Sequence, residues 1–493
     1  MTWRLVRLVR PGVIAVMLAA FAVLAPRLAL AHGALKSSVP RAGAHLGEVP
    51  HAVRLDFNEA PELAFTSIRL LSADGREIAL GALAYAPDSH RAVVAPIASA
   101  MIAGTYTVAW QMAGDDGHPV RGRFVFVVAP GAMGVGVVPA SLSPGSAQDG
   151  AGTADTSGRP TRDDMHHDAA SVPQGEGFGA ESPLYVLVRW LQFVALLLVI
   201  GASSFRFLVV PLARRASPGD ATLLGDGERR AASIGSLAAA LLALVLVLRL
   251  GAQSYAMHGD AMFAVSLSVQ MIRNTMWGWG WLIQLVGVLL AVPGFYGALT
   301  AARRQRDATT WWRLAALGAV VAAFSPAFSG HAAASPRMRA LAMVADGVHV
   351  LGASSWLGTL AIVLFVGLTG AQAPSGMRNA FVRDLIRAFS PVALASAAIA
   401  ASTGLFAAWI HVGTLPNLWT TRYGLTLLLK LGILGIVAGT GLYNWRVVTP
   451  RLGTDDATVL LRRSTRVEVV VALLVLAVTA VLVATPASLD MDM

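Results

Sequence analysis

Hydrophobic and polar positions follow two different periods along this chain. Between residues 32 and 130, apolar side chains alternate with polar ones: Val53, Leu55 and Phe57 in AVRLDF, then Tyr106, Val108 and Trp110 in GTYTVAWQM, then GRFVFVV. Alternation of period two, broken by Gly, Pro and Asp, predicts an antiparallel β sandwich or barrel over 32–130. About 100 residues suffice for one such core. From Leu184 onward the pattern becomes long apolar runs near 184–210, 232–252, 277–299, 314–331, 342–369, 390–411, 423–445 and 467–485. These predict an all-α polytopic membrane domain of about eight transmembrane helices over 182–486, since about 20 apolar residues in a helix cross the hydrocarbon core. Between the two, residues 131–181 are rich in Gly, Ala, Ser and Pro without period and predict a flexible linker. Residues 487–493 are expected as a short tail.

At the amino end, Arg4, Arg7 and Arg10 precede an apolar stretch over 13–24 and the small-residue triplet Ala29-Leu30-Ala31. Those are the three parts of a secretory signal over 1–31. Cleavage there makes His32 the first residue and leaves an α-amine beside its imidazole. Arginine then orients the helices. The expected inner loops carry Arg214, Arg215, Arg229 and Arg230, then Arg303, Arg304, Arg306 and Arg313, then Arg378, Arg383 and Arg387, then Arg446, Arg451, Arg462, Arg463 and Arg466. The outer loops carry only Arg273, Arg337, Arg339 and Arg422. This bias predicts a multi-pass protein of the bacterial inner membrane with the β domain and carboxyl end in the periplasm. Composition agrees: 55% of the 493 residues are hydrophobic and 13% charged, against about 25% charged in soluble domains. The net charge of +10 is explained by those loops, so nucleic acid is not an expected partner. With no cysteine, disulfides, thiolate metal sites and cysteine nucleophiles are excluded.

In that topology no histidine faces the cytoplasm. His32, His45, His51, His90 and His118 belong to the β domain, His166 and His167 to the linker, and His258 to an outer loop. His331 ends the fourth helix, His349 lies about two turns into the fifth and His411 ends the sixth. Of the methionines beyond the signal, only Met377 lies in an inner loop. Imidazole binds copper in either oxidation state, and thioether favours Cu(I). A terminal histidine chelates through amine and Nδ1 together. Asp116 and His118 in GDDGHPVRG share one face of an extended segment, and Glu59 ends LDFNEA. His45, His51 and His90 sit among polar turn residues and read as surface histidines. The linker cluster Met165, His166 and His167 reads as solvated.

The stretches HGALKSSVPRAGAHLGEVPHAVRLDFNEA and DDGHPVRGRFVF resemble the CopC family of periplasmic copper-binding proteins. The resemblance implies a Greek-key β-barrel whose Cu(II) site uses His32, Glu59, Asp116 and His118, with Asn58 where serine is usual. Some members carry a Met-rich Cu(I) loop. Here the corresponding region has only Met101, which implies the Cu(II)-only branch. Over 184–485, SGHA, then D-x-x-H followed by SWLG, and LLLKLGIL with Asn444 in LYNW, resemble the CopD family of eight-helix proteins linked to copper resistance and uptake.

Asp346, His349 and Trp356 are placed on one helical face. A carboxylate and an imidazole inside a span need a partner or a water-filled cavity. Lys430, at a depth similar to His349, is the candidate partner of Asp346. His331 and His349 are the candidate membrane-domain ligands, supported by Asp346 and Lys430. Met257, His258, Met262 and His411 are weaker ones, since YAMHGDAMF also reads as an interfacial helix. The expected function is periplasmic Cu(II) capture coupled to copper transport, inward, across the inner membrane in copper homeostasis and resistance. Cu(I) is the form considered for the membrane domain. Copper ions, the lipid bilayer and periplasmic copper chaperones are the expected partners. The expected class is a copper-binding protein and transporter, not an enzyme. Two alternatives stay open: a membrane redox protein carrying haem or copper between His331, His349 and His411, and a copper-dependent oxidative enzyme built on the terminal histidine.

Overall fold

The computed structural model describes residues 35–58, 60–113, 119–133, 182–216, 221–334, 338–369, 375–448 and 455–485. The expected signal and short tail, and the expected linker from residue 134 onward, lie outside them. The chain forms two compact units, one β and one helical.

Among the described residues the β unit has nine strands: β1 (Leu35–Val39), β2 (His45–Glu48), β3 (Ala52–Phe57), β4 (Ser67–Ser72), β5 (Glu77–Ile78), β6 (Ala84–Ala86), β7 (Ser89–Pro96), β8 (Gly104–Ala113) and β9 (Pro119–Met133). They make a four-stranded sheet in the order β1-β3-β7-β6 and a five-stranded sheet in the order β2-β9-β8-β4-β5. The expected antiparallel sandwich is formed, with one departure: β2 and β9 run parallel. The period-two residues do what their spacing requires. Val53, Leu55 and Phe57 from one sheet pack with Val108, Trp110 and Phe126 from the other. Each such side chain contributes about 1.5–3 kcal/mol on burial. A one-residue slip of β3 would turn all three outward, so its register is strongly specified.

The Tyr106 hydroxyl accepts from the Ile102 amide at 3.1 Å and donates to the Ile102 carbonyl at 2.8 Å, fixing the entry to β8. Met101 and Met112 are buried in this core, so neither is presented as a surface ligand. His45, His51 and His90 are exposed, as expected. On the outer face, Arg54 pairs with both Asp56 and Asp88 at 2.8 and 2.9 Å. The Arg54 guanidinium holds the Asp88 carboxyl below the usual carboxylate range.

Among the described residues of the helical unit, seven helices are long and apolar enough to cross a membrane: Pro183–Ala216, Ala221–His258, Met276–Arg303, Thr309–Phe328, Arg339–Val366, Asn379–Val412 and Arg422–Tyr443, the first to seventh spans below. The eighth expected span corresponds to the last helix, Asp455–Leu482, whose described apolar stretch, Val467–Leu482, is shorter than the others. YAMHGDAMF is not a plain loop. Met257 and His258 close the second span, a 3-10 turn follows at Gly259–Phe263, and then a helix, Val265–Asn274, buries Met271 while Val265 stays exposed. The fourth span ends at Phe328 through a 3-10 turn, Ser325–Phe328. His331 therefore starts a separate short helix, His331–Ala334, and does not end the span as expected.

Among the described residues three π-helical turns interrupt the bundle, at Phe205–Val209, Ser354–Gly358 and Asn444–Val448. Such turns are frequent where a helix serves a site. The SWLG motif is the second of them. It lies so close to the first span that a Cβ on Gly201 would come within 2.3 Å of the Gly358 carbonyl carbon. The Ser204 and Ser355 hydroxyls meet there at 2.9 Å. Trp356 lies within this turn, half-buried against the cluster of Leu197, Leu357, Val437 and Ala472.

Candidate metal centre

Glu59, Asp116, His118 and His32 lie outside the described residues. The strands on either side of them are described, and their pairing is informative. β1 and β3 are antiparallel with Leu35 opposite Phe57. The chain entering β1, three residues after His32, and the chain leaving β3, two residues before Glu59, are thus at the same end of that sheet. Phe57 also touches Trp110 near the end of β8, with ring centroids 5.2 Å apart. Asp116 and His118 follow β8 in sequence. Trp110 has room for its ring because its neighbour in β9 is Gly122, where a Cβ would lie 2.4 Å from the indole. One aromatic contact therefore ties together the strand ends next to three candidate segments.

In the helical unit the structure places His349 closely. Its Nδ1 lies 2.9 Å from the Ala400 carbonyl and 3.1 Å from the Thr403 hydroxyl, both in the sixth span. A carbonyl only accepts, so Nδ1 carries the proton and Nε2 keeps its lone pair. A metal-binding histidine is usually oriented in this way, through its second nitrogen. Thr403 donates its own proton to Ile399 at 2.7 Å, which leaves its oxygen free to accept from the imidazole. Gly404 makes the approach possible: a Cβ there would sit 3.1 Å from His349 Cε1.

Asp346 is one turn before His349, and Lys430 in the seventh span lies within electrostatic reach of both. No direct ion pair between Asp346 and Lys430 forms among the described residues. The sequence reading had a simple salt bridge as one option. The structure instead has three charged or ionisable groups near one another without direct pairing. His411, a weaker candidate, is buried at the end of the sixth span, its ring 6.4 Å from that of Tyr423. Tyr423 in turn lies within electrostatic reach of Asp346. Met257 is buried and Met262 half-buried, and His258 Nδ1 is 3.5 Å from the Ser254 hydroxyl. The side chain of His331 lies outside the described residues. Among the described residues no three His, Asp or Glu side chains are close enough to hold a metal together.

Sequence reasoning missed four residues. Thr403 and the Ala400 carbonyl, 54 and 51 positions from His349, left no local signal. Tyr423 was hidden in the ordinary start of an apolar run. Glu468, almost fully buried, accepts from Asn444 Nδ2 at 2.7 Å. A glutamate in STRVEVVV next to the LYNW asparagine could have been noticed as a carboxylate inside a span.

Comparison with known proteins bears on both units. Residues 35–129 match the family model described as the CopC domain. Residues 180–341 match the N-terminal domain of copper resistance protein D-like proteins, and residues 383–482 match copper resistance protein D. Copper transport protein CutJ of Bacillus subtilis (strain 168) is 24% identical over 424 residues, covering 85% of this chain and 68% of that protein. Copper resistance protein C of Pseudomonas syringae pv. tomato is 33% identical over 118 residues, covering 23% of this chain and 93% of that protein. The crystal structure of CopC from Methylosinus trichosporium is 27% identical and covers 20% of this chain and 95% of that one, with a TM-score of 0.19.

Proposed function

We propose that this chain, which belongs to the CopC family through its β domain and continues as a copper resistance protein D membrane domain, captures Cu(II) outside the cell and passes copper inward across the membrane. Copper transport and copper resistance are the activities that the names of two of its relatives give. It is a multi-pass membrane protein by its seven apolar helices and its family. The finer reading has three parts: the periplasmic side for the β domain, a bacterial inner membrane, and import as the direction.

The observation that carries the reading is the meeting of strand ends at Phe57 and Trp110. It favours a single site made from His32, Glu59, Asp116 and His118. Nitrogen donors from a terminal amine and two imidazoles, with anionic oxygen from the carboxylates, suit Cu(II). Such filled coordination disfavours oxygen activation, so a binding protein fits better than an oxidative enzyme.

In the helical unit His349 is the residue that receives copper, through Nε2. The Ala400 carbonyl holds the ring in one tautomer. Asp346 lowers the cost of a cation at that depth, and Lys430 balances the carboxylate while no metal is present. Met257, Met262 and His258 form the proposed handover from the surface, where thioether suits Cu(I). Periplasmic copper chaperones are proposed as donors to the β domain. A chain that joins both parts keeps capture and delivery intramolecular, at high effective concentration.

Copper content of cells tests this. A deletion strain is compared with strains restored with the native chain, with His32→Ala or with His349→Ala. Import requires low copper in the deletion strain, recovery with the native chain and failure with both variants. Equal copper in all four strains would remove the transport reading, and higher copper in the deletion strain would reverse its direction.

A further inference from the structure

A buried cation without a carboxylate partner stands inside the helical unit. Arg249, in the second span, is only 5% exposed. Its guanidinium donates to Gln284 Oε1 at 2.7 Å and to the Ser329 hydroxyl at 3.2 Å, and it lies 5.5 Å from the centre of the Trp277 ring. Among the described residues no Asp or Glu pairs with it. Removing a cation from water without an opposite charge is strongly unfavourable, and in membrane proteins such groups mark ligand or ion sites.

The Tyr185 hydroxyl also lies within hydrogen-bonding reach of Arg249, but other groups nearby are donors lacking acceptors. Trp277 Nε1, Gln284 Nε2 and the Ser325 hydroxyl are buried and make no hydrogen bond. Trp277 is 1% exposed, and Gln284 and Ser325 are 0% exposed. The Gln284 amide cannot be turned around to relieve this. Its Oε1 already accepts from Arg249 and, at 2.9 Å, from Gln192 Nε2, so both N–H groups must point elsewhere. Trp277 and Gln284 are two turns apart on one face of the third span. Gly280 between them packs directly on the 3-10 turn that carries Ser325: a Cβ on Gly280 would come within 2.8 Å of the Ser325 carbonyl. The second span, the third span and that turn thus gather an indole N–H, an amide, a hydroxyl and a guanidinium.

The missing complement is a small group that only accepts hydrogen bonds and carries one negative charge. A dianion is disfavoured, since the other buried arginine among the described residues has partners of its own. Arg189 lies over the Tyr185 ring at 5.1 Å and donates to the Ala480 carbonyl at 3.3 Å. We propose that Arg249, Trp277, Gln284 and Ser325 form a binding site for a small monovalent anion, a halide or a short carboxylate, within the helical unit. The proposal does not depend on the copper reading.

The test uses the purified full chain in detergent, exchanged into sodium gluconate, whose anion is too large for the site. Chloride, bromide or acetate then replaces gluconate at constant ionic strength while the thermal midpoint is followed. An anion that binds the folded chain raises the midpoint with concentration in a saturable way. Saturation by chloride and bromide identifies a halide site, with bromide then visible by its anomalous scattering beside Arg249. Saturation by acetate alone identifies a carboxylate site. Arg249→Gln abolishes the response. Trp277→Phe keeps most of the packing and removes one N–H, so it weakens the apparent affinity by about tenfold. It also carries the test if Arg249→Gln does not fold. A native midpoint indifferent to exchange of gluconate for all three anions would overturn the proposal. So would a response left unchanged by Trp277→Phe.

Discussion

The Phe57 and Trp110 rings meet edge to face, with centroids 5.2 Å apart and planes inclined by 66°. An edge-to-face pair adds about 0.5–1.5 kcal/mol to the burial of the two rings. The value of this one is also positional. Phe57 is the last residue of β3 and Trp110 lies near the end of β8, so the contact holds together strand ends belonging to different sheets.

Trp110→Ala should destabilise the β domain by about 3–5 kcal/mol, the usual cost of deleting a large buried aromatic. Gly122→Val should act in the same direction, because its side chain would occupy the space of the indole. Both should also weaken Cu(II) binding without removing a ligand. Thermal denaturation followed by circular dichroism measures the first effect, and Cu(II) titration followed by electron paramagnetic resonance the second. Unchanged Cu(II) affinity in a folded Trp110→Ala protein would separate the contact from the site.

His32→Ala should cost at least the about 10–100-fold in metal affinity that outer-shell changes cost. It should also reduce the nitrogen hyperfine splitting of bound Cu(II). A chain that keeps residues ahead of His32 should also bind more weakly, because it retains the imidazole while the α-amine is no longer a donor. Equal spectra from the two chain starts would remove the terminal amine from the ligand set.

Gly404→Val should displace His349, whose Cε1 lies 3.1 Å from the position of a new Cβ, and lower copper accumulation at least tenfold. Thr403→Val should have a smaller effect, since the Ala400 carbonyl still accepts from Nδ1 at 2.9 Å. Accumulation assays on the two variants, with membrane levels checked by immunoblot, give the order. The reverse order would mean that the hydroxyl, and not the backbone carbonyl, positions the ring.

Acid should remove the ion pair between Arg54 and Asp88. The Asp88 carboxyl titrates below its ordinary range because Arg54 donates to it. A carboxyl depressed in the folded state stabilises above its unfolded pKa, and that contribution fades as pH falls through the folded value. Asp88→Asn should therefore lower stability slightly near neutral pH and leave it unchanged at strongly acid pH. The difference is small because both partners are partly exposed. Unfolding curves of the two proteins across the acid range measure it, and a gap that widened as pH fell would contradict the sign.

Period and composition alone sufficed for the two-part architecture, because both signals are local. Alternation in AVRLDF and GTYTVAWQM reports burial of one strand face, and uninterrupted apolar runs report lipid-length helices. His349 and Asp346 were also legible, since ionisable groups stand out inside an apolar run. Other features depended on residues far apart in the chain. That the Ala400 carbonyl fixes the His349 tautomer, that Gly122 clears space for Trp110, and that Arg249 pairs with Gln284 and Ser329 but with no carboxylate among the described residues are facts of packing between elements. The close seating of Gly358, in the π-helical turn at Ser354–Gly358, on Gly201 of the first span is likewise set by packing. Local sequence chose the elements through backbone geometry and burial. The partners of each polar group were chosen only when those elements packed, because a hydrogen bond is satisfied by proximity in space and leaves no period in the chain.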